Sequence, residues 1–282
     1  RLIMAVIQLG ALKLKAAEDK LPCDLDVLVS TDPEMASEVI SGSFGGKSLN
    51  QYIAAHEGCL GTRAANQAEI PFEVKILSNA TDGLVQVNAY PNQDSIWYVL
   101  DAVPGAEIGY GFREEMTQER IAAGIAGNTL AQDMNKVAVK AGDVLTLKSG
   151  TVYSLSKGVT ILEIQNEQFE QNPQADVLDL IILEPVKHDH AVGEWVDDGQ
   201  AERGCLGKVD TFDADLYALN GRLTVDADEK TFRILIMTEG SAVIESGDEI
   251  LHAEKNSAFF APAKGEPFNI TGNCRFIMVT LA

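Results

Sequence analysis

No two cysteines stand close enough to suggest shared work. Cys23, Cys59, Cys205 and Cys274 are scattered through 282 residues, and no C-x-x-C pair supplies zinc-finger or redox spacing. Reduced thiols are the expectation, and with them a cytoplasmic location. Positive charge is also scarce: 22 Lys and Arg against 42 Asp and Glu leave a formal charge of −20. A nucleic-acid backbone and an anionic membrane both call for clustered cations, so no nucleic acid and no membrane are expected as partners. Long hydrophobic runs are missing. The opening stretch R-L-I-M-A-V-I-Q-L-G-A-L falls far short of the roughly 20 residues that span a bilayer. It lacks a small-residue cleavage site, so an export signal is not expected, and the missing initiator Met suggests a trimmed start. The chain has no nucleophile elbow, and G-S-F-G-G-K at 42–47 lacks the Walker spacing of a phosphate loop.

What is present is a repeated phrase. Residues 140–155 read K-A-G-D-V-L-T-L-K-S-G-T-V-Y-S-L and residues 255–270 read K-N-S-A-F-F-A-P-A-K-G-E-P-F-N-I. Each copy is a lysine, a turn, an apolar strand, a small loop with glycine and a new strand. Residues 97–108, W-Y-V-L-D-A-V-P-G-A-E-I, and 234–245, I-L-I-M-T-E-G-S-A-V-I-E, extend the parallel. Both predict a strand, a turn at Gly105 or Gly240, and a returning strand. Such hairpins resemble those of cupins, small double-sheet β-barrels. In catalytic cupins the second strand usually carries a metal-binding histidine, and here that position holds Tyr153 in one copy and Phe268 in the other.

The first copy contains a longer connection over about 114–134, whose pattern of Thr117, Ile121, Ile125 and Leu130 predicts a capped helix interrupted by Gly124 and Gly127. A helix is also expected over Leu49 to His56, and an extended piece around Asp26 to Ser30. The Asp-, Gly- and His-rich stretch 187–207 reads as a linker. The expected fold is therefore mainly β, with two cupin (double-stranded β-helix jelly-roll) barrels. An N-terminal domain over 1–186 carries the helical insertion, and a smaller barrel occupies 208–282.

The runs F-E-V-K-I-L-S-N-A-T-D-G-L-V-Q-V-N, W-Y-V-L-D-A-V-P-G-A-E-I-G-Y-G-F, V-K-A-G-D-V-L-T-L-K-S-G-T-V-Y-S-L and G-V-T-I-L-E-I-Q resemble the type I mannose-6-phosphate isomerases of bacteria. With G-S-F-G-G-K-S-L-N-Q-Y-I-A-A-H upstream, the resemblance covers nearly the whole chain. It implies a zinc-dependent cupin that interconverts mannose 6-phosphate and fructose 6-phosphate, the metal polarising sugar oxygens. The family holds zinc by a Gln and a His in Q-x-H, a Glu in K-x-E-x-W-Y and a His in G-T-x-H. Here these motifs read Gln86-Val87-Asn88, Gln93-Asp94-Ser95-Ile96-Trp97-Tyr98 and Gly150-Thr151-Val152-Tyr153. The Gln remains, while Asn88, Ser95 and Tyr153 replace the other ligands with poor zinc donors. After the retained Glu163 and Gln165, the run N-E-Q-F-E-Q-N-P-Q-A-D lacks the arginine that the family usually reaches.

On this reading Gln86, Asn88, Ser95, Tyr153, Glu163 and Gln165 outline a vestigial pocket. It has no catalytic residue, no metal ligand set and no cofactor. Two roles are open to Gln86 and Glu163: contact with a ligand, or hydrogen bonding to their neighbours inside the barrel. Two are open to Tyr153 and Phe268: stacking on a sugar ring, or core packing. Trp97 and Tyr98 read as ordinary strand residues. His188-Asp189-His190-Ala191-Val192-Gly193-Glu194 fits the H-x-H-x-x-x-E metal motif of unrelated cupins, but its expected place is a solvated linker. The expectation is an isomerase-like protein of carbohydrate metabolism that lacks metal and catalysis and binds a sugar phosphate or a protein partner. The alternative is a working aldose-ketose isomerase with a weak metal site, or with one relocated to His188, His190 and Glu194.

Overall fold

Strand Phe268–Leu281 organises the C-terminal part of the chain. It pairs antiparallel along its whole length with Phe212–Val225, from Val225↔Phe268 to Phe212↔Leu281, and along its other edge with Arg233–Ser246. Alternate residues on one face (Leu235, Met237, Phe276, Met278, Phe268 and Ile270) enter a closed apolar cluster. Period-two burial of this kind fixes register, because a slip of one residue would turn the apolar set outward. The computed structural model describes residues 4–15, 23–64, 67–78, 85–87, 93–166, 177–186 and 192–282, the side chains of 85–87 and 177 excepted. Within these, the strands form a 10-stranded, a 6-stranded and a 4-stranded sheet, giving a mainly β protein of cupin type.

The chain divides into two compact units. One, here the terminal unit, comprises residues 1–12, 27–74 and 192–282; the other, the central unit, comprises 13–26 and 75–191. This differs from the expected split at residue 186 and has a visible cause. Strand Ile7–Gly10 inserts between Ala258–Ala261 and Glu38–Val39 and completes the 10-stranded sheet. Phe72 packs against Phe212 and Phe232 with ring centroids 5.2 and 5.9 Å apart. Helix Leu49–Ala55 in this unit starts on a capping box, in which Gln51 N–H donates to Ser48 Oγ and Ser48 N–H donates to Gln51 Oε1. The stretch read as a linker also contributes strands: Trp195–Asp197 pairs with Glu202–Lys208, which pairs with Phe212–Val225.

Gly240 does not make a turn. Arg233–Ser246 runs through it as one strand, with a register shift between Met237 and Glu239 against Phe268–Leu281. Gly240 has φ 71°, and a Cβ there would stand 2.2 Å from Asn273 O. The glycine thus serves a bulge that bends a long strand. Gly240→Ala is expected to destabilise the protein by about 1–3 kcal/mol, read as a lower urea midpoint; an unchanged midpoint would refute this role.

In the central unit the 6-stranded sheet holds Val144–Leu147, Ser95–Ala102 and Val159–Asn166 side by side, and the 4-stranded sheet holds Met134–Ala138, Glu107–Phe112 and Val152–Leu155. One apolar core takes side chains from both sheets: Trp97, Val99, Leu145 and Ile161 from the first, Ile108, Tyr110, Val137 and Leu155 from the second. The inserted helix is present as Gln118–Ala126, with Thr117 Oγ1 accepting from Arg120 N–H. Ile121 and Leu130 bury against Phe112, Met134 and Val152, so the insertion covers the outer side of the smaller sheet. Ile125, expected on the same stripe, is 55% exposed. Among the described residues no helix is long and apolar enough to cross a membrane.

Candidate functional site

The polar residues of interest converge inside the central unit because of strand register. Ser95–Ala102 is flanked by Val144–Leu147 and Val159–Asn166, so that Ser95 lies beside Leu147 and Gln165, and Trp97 beside Leu145 and Glu163. Residues two apart on a strand share a face. Ser95, Trp97 and Val99 therefore project the same way, Trp97 and Val99 into the core. Glu163 is 5% exposed, and Trp97 Nε1–H donates to its Oε1 at 2.7 Å. Tyr153 meets Trp97 edge to face, with centroids 4.9 Å apart and an interplanar angle of 85°. The Tyr110 phenol donates to the Thr146 carbonyl.

Electrostatics places a further group in this interior. Burial, followed by the nearby Glu163 and Asp24 carboxylates, pushes the Cys23 thiol up to about 11. Burial, Glu163 and Cys23 push the Tyr153 phenol well above its ordinary range. Both groups thus stay protonated at neutral pH in the metal-free protein. At one end of the same interior, Asp94 accepts from Lys148 Nζ at 2.6 Å and from Ser149 N–H at 3.0 Å. This ties the residue before Ser95 to the loop that leads through Gly150 to Thr151. Ser95 and Thr151 are 0% and 1% exposed, and their hydroxyl oxygens have no hydrogen-bond partner among the described residues.

Ser95, Tyr153, Glu163 and the half-buried Gln165 are therefore brought together. The Gln86 backbone pairs with that of Tyr153, and Asn88 lies outside the described residues. His188 and His190 also lie outside them, while Glu194 is exposed in the terminal unit. Tyr153 packs as core against Trp97, and Phe268 is 2% exposed within the apolar cluster of the terminal unit. Trp97, read as an ordinary strand residue, is also the hydrogen-bond partner of Glu163. Cys23 and Thr151 were not singled out as pocket residues; their burial and spatial neighbours reveal them. A separate cavity of ≈ 680 Å³ lies in the terminal unit, lined by Gln200, Glu202, Asn220, Glu239, Asn273 and Arg275 among others.

The donor set does not fit a zinc ion. Zinc in proteins takes thiolate, imidazole or carboxylate ligands. The motif positions offer a serine hydroxyl and a protonated phenol, and Glu163 is already engaged by the Trp97 indole. Among the described residues no group of three His, Cys, Asp or Glu is arranged to hold a metal. The remaining chemistry is that of a mostly aliphatic interior holding Trp97, Tyr110 and Tyr153, with the Ser95 and Thr151 hydroxyls and the Asp94–Lys148 ion pair at one end.

Residues 205–281 match the family model described as mannose-6-phosphate isomerase, cupin domain. The mannose-6-phosphate isomerase of Streptococcus mutans is 35% identical over 148 residues, which cover 49% of this chain and 46% of that one. YvyI of Bacillus subtilis, named for the same activity, is 24% identical over 277 residues, 89% of this chain and 86% of its own. The crystal structure of the mannose 6-phosphate isomerase from Bacillus subtilis superposes with a TM-score of 0.80 at 19% identity, covering 98% of this chain and 99% of that one, which carries the fold. On these matches the chain is similar to mannose-6-phosphate isomerases along nearly its whole length and shares their fold.

Proposed function

We propose that this carbohydrate-isomerase homologue works without zinc, does not interconvert aldose and ketose, and binds a sugar phosphate in the interior of the central unit. The observation that carries the reading is the Trp97–Glu163 hydrogen bond with Tyr153 packed against the indole. A packed, hydrogen-bonded arrangement thus stands among the positions where the family resemblance implies a metal. In the family that metal supplies charge stabilisation worth several kcal/mol to the transition state. Uncharged hydroxyls of Ser95 and Tyr153 do not replace it. A ligand-binding role needs shape and hydrogen-bonding groups rather than a metal. A bound sugar phosphate or an active isomerase as protein partner would give such a chain a regulatory place in carbohydrate metabolism.

The test is calorimetric titration with mannose 6-phosphate and fructose 6-phosphate, paired with NMR observation of their interconversion. Saturable binding with no turnover is expected. Absence of both heat and thermal shift would remove the ligand-binding role, and turnover abolished by a chelator would restore the zinc enzyme.

A further inference from the structure

Resting on the ligand-binding reading above, we infer that Ser95 Oγ and Thr151 Oγ1 form a subsite that recognises an alcohol group of the ligand, at the end of the central interior held by the Asp94–Lys148 ion pair. The starting observation is that both hydroxyls are buried and without a hydrogen-bond partner among the described residues. Leaving a buried donor and acceptor unmade costs about 1–3 kcal/mol, and folded proteins tolerate few such groups. Both residues belong to segments that Asp94 ties together in the central unit.

Their proximity in the fold follows from register and anchoring. Ser95 opens its strand beside Leu147. Lys148 and Ser149, the next two residues, both bond Asp94, the neighbour of Ser95. Thr151 N–H closes the turn onto Lys148 O at 3.0 Å. On the other side Gln165 stands opposite Ser95.

The chemistry narrows the ligand group. A hydroxyl both donates and accepts, and the group that answers two such hydroxyls is another alcohol. A phosphate is disfavoured at this point, because the Asp94 carboxylate adjoins Ser95 and Glu163 lies on the same strand as Gln165, two residues away. The phosphate of a sugar phosphate therefore points elsewhere and the sugar hydroxyls point to Ser95 and Thr151.

The experiment compares wild-type protein with Ser95→Ala and Thr151→Val by calorimetric titration of mannose 6-phosphate and of inorganic phosphate, with melting curves of the ligand-free proteins. Each substitution is expected to weaken mannose 6-phosphate binding about tenfold, the worth of one hydrogen bond. Inorganic phosphate binding is expected to stay unchanged. Ligand-free melting temperatures should hold or rise, since each change removes a buried group that lacks a partner. Variants that melt lower and bind mannose 6-phosphate as tightly as wild type would mean that the hydroxyls serve a structural water, which overturns the subsite alone. Wild-type protein that binds no sugar phosphate overturns the subsite together with the ligand reading. Titration of the wild type with 2-deoxyglucose 6-phosphate and 1,5-anhydromannitol 6-phosphate keeps the test open should a variant fail to fold. A tenfold loss for at least one analogue supports the subsite, and equal affinity for both opposes it.

Discussion

Trp97→Ala is expected to destabilise the central unit by about 3–5 kcal/mol, the range for deleting a large aromatic from a packed core. The residue is 0% exposed and lies on the middle strand of three, with Leu145 and Glu163 as its cross-strand neighbours. Its loss removes the surface against which Tyr153 packs and the N–H that meets Glu163. The two contributions can be separated. Trp97→Phe keeps much of the apolar body and removes only the donor, so its cost is expected to be smaller, about 1–3 kcal/mol. Adding Glu163→Leu to Trp97→Phe should recover part of that cost, because an apolar pair replaces a buried carboxylate that has lost a partner. Urea unfolding of the single and double variants measures the coupling directly. Additive effects would show that the 2.7 Å contact contributes nothing of its own and that Trp97 is only a space-filler.

The strands of the repeated phrases were legible because each is local, but their pairing as hairpins was not. Val144–Leu147 and Val152–Leu155 are strands of different sheets, and Arg233–Ser246 stands between Ala258–Ala261 and Phe268–Leu281, because a loop between two apolar runs does not say which strands pair. The Thr117 cap and the Leu49 helix were legible for the same reason, since their bonds span three residues. Gly240 was misread because a glycine between two apolar runs has the same local appearance whether it closes a turn or relieves a bulge; the partner strand decides. The short strands Trp195–Asp197 and Glu202–Lys208 were hidden by their Asp and Gly content, and they exist through their pairing with Phe212–Val225. Likewise, nothing near residue 7 announces that it joins a sheet built mostly after residue 192, and nothing near residue 72 announces that Phe72 packs against Phe212 and Phe232. In the site, the motifs pointed to Ser95, Tyr153, Glu163 and Gln165 as one group. The roles of the Trp97 indole donor, the buried Cys23 thiol and the Thr151 hydroxyl were not legible, even where a motif contained the residue, because they depend on spatial neighbours distant in sequence.

The strongest consequence of the substituted ligand set concerns metal content. Wild-type protein from zinc-supplemented cells, purified without chelator, is expected to carry well under about a tenth of a zinc per chain, because a tight zinc site needs deprotonated or imidazole donors in a closed set. Asn88→His, Ser95→Glu and Tyr153→His together restore the donor types of the family motifs and leave Gln86 in place. The backbone already brings Gln86 beside Tyr153, and Ser95 into the strand next to Val144–Leu147. The triple variant is therefore expected to rise toward one zinc per chain and to gain a zinc-dependent increase in melting temperature, since a ligand that binds only the native state stabilises it. Tyr153→His is the step with the largest structural cost, because it removes the edge-on partner of Trp97, so its melting temperature without zinc should fall. Zinc content and melting curves of wild type, of Tyr153→His and of the triple variant separate the two effects. Wild-type protein holding near one zinc per chain would mean that donors other than these supply the site, and the metal-free reading would then fall. A triple variant that folds but gains no zinc would show that restoring the donor types is insufficient, and that the packing of Trp97, Tyr110 and Glu163 has closed the space the ion once needed.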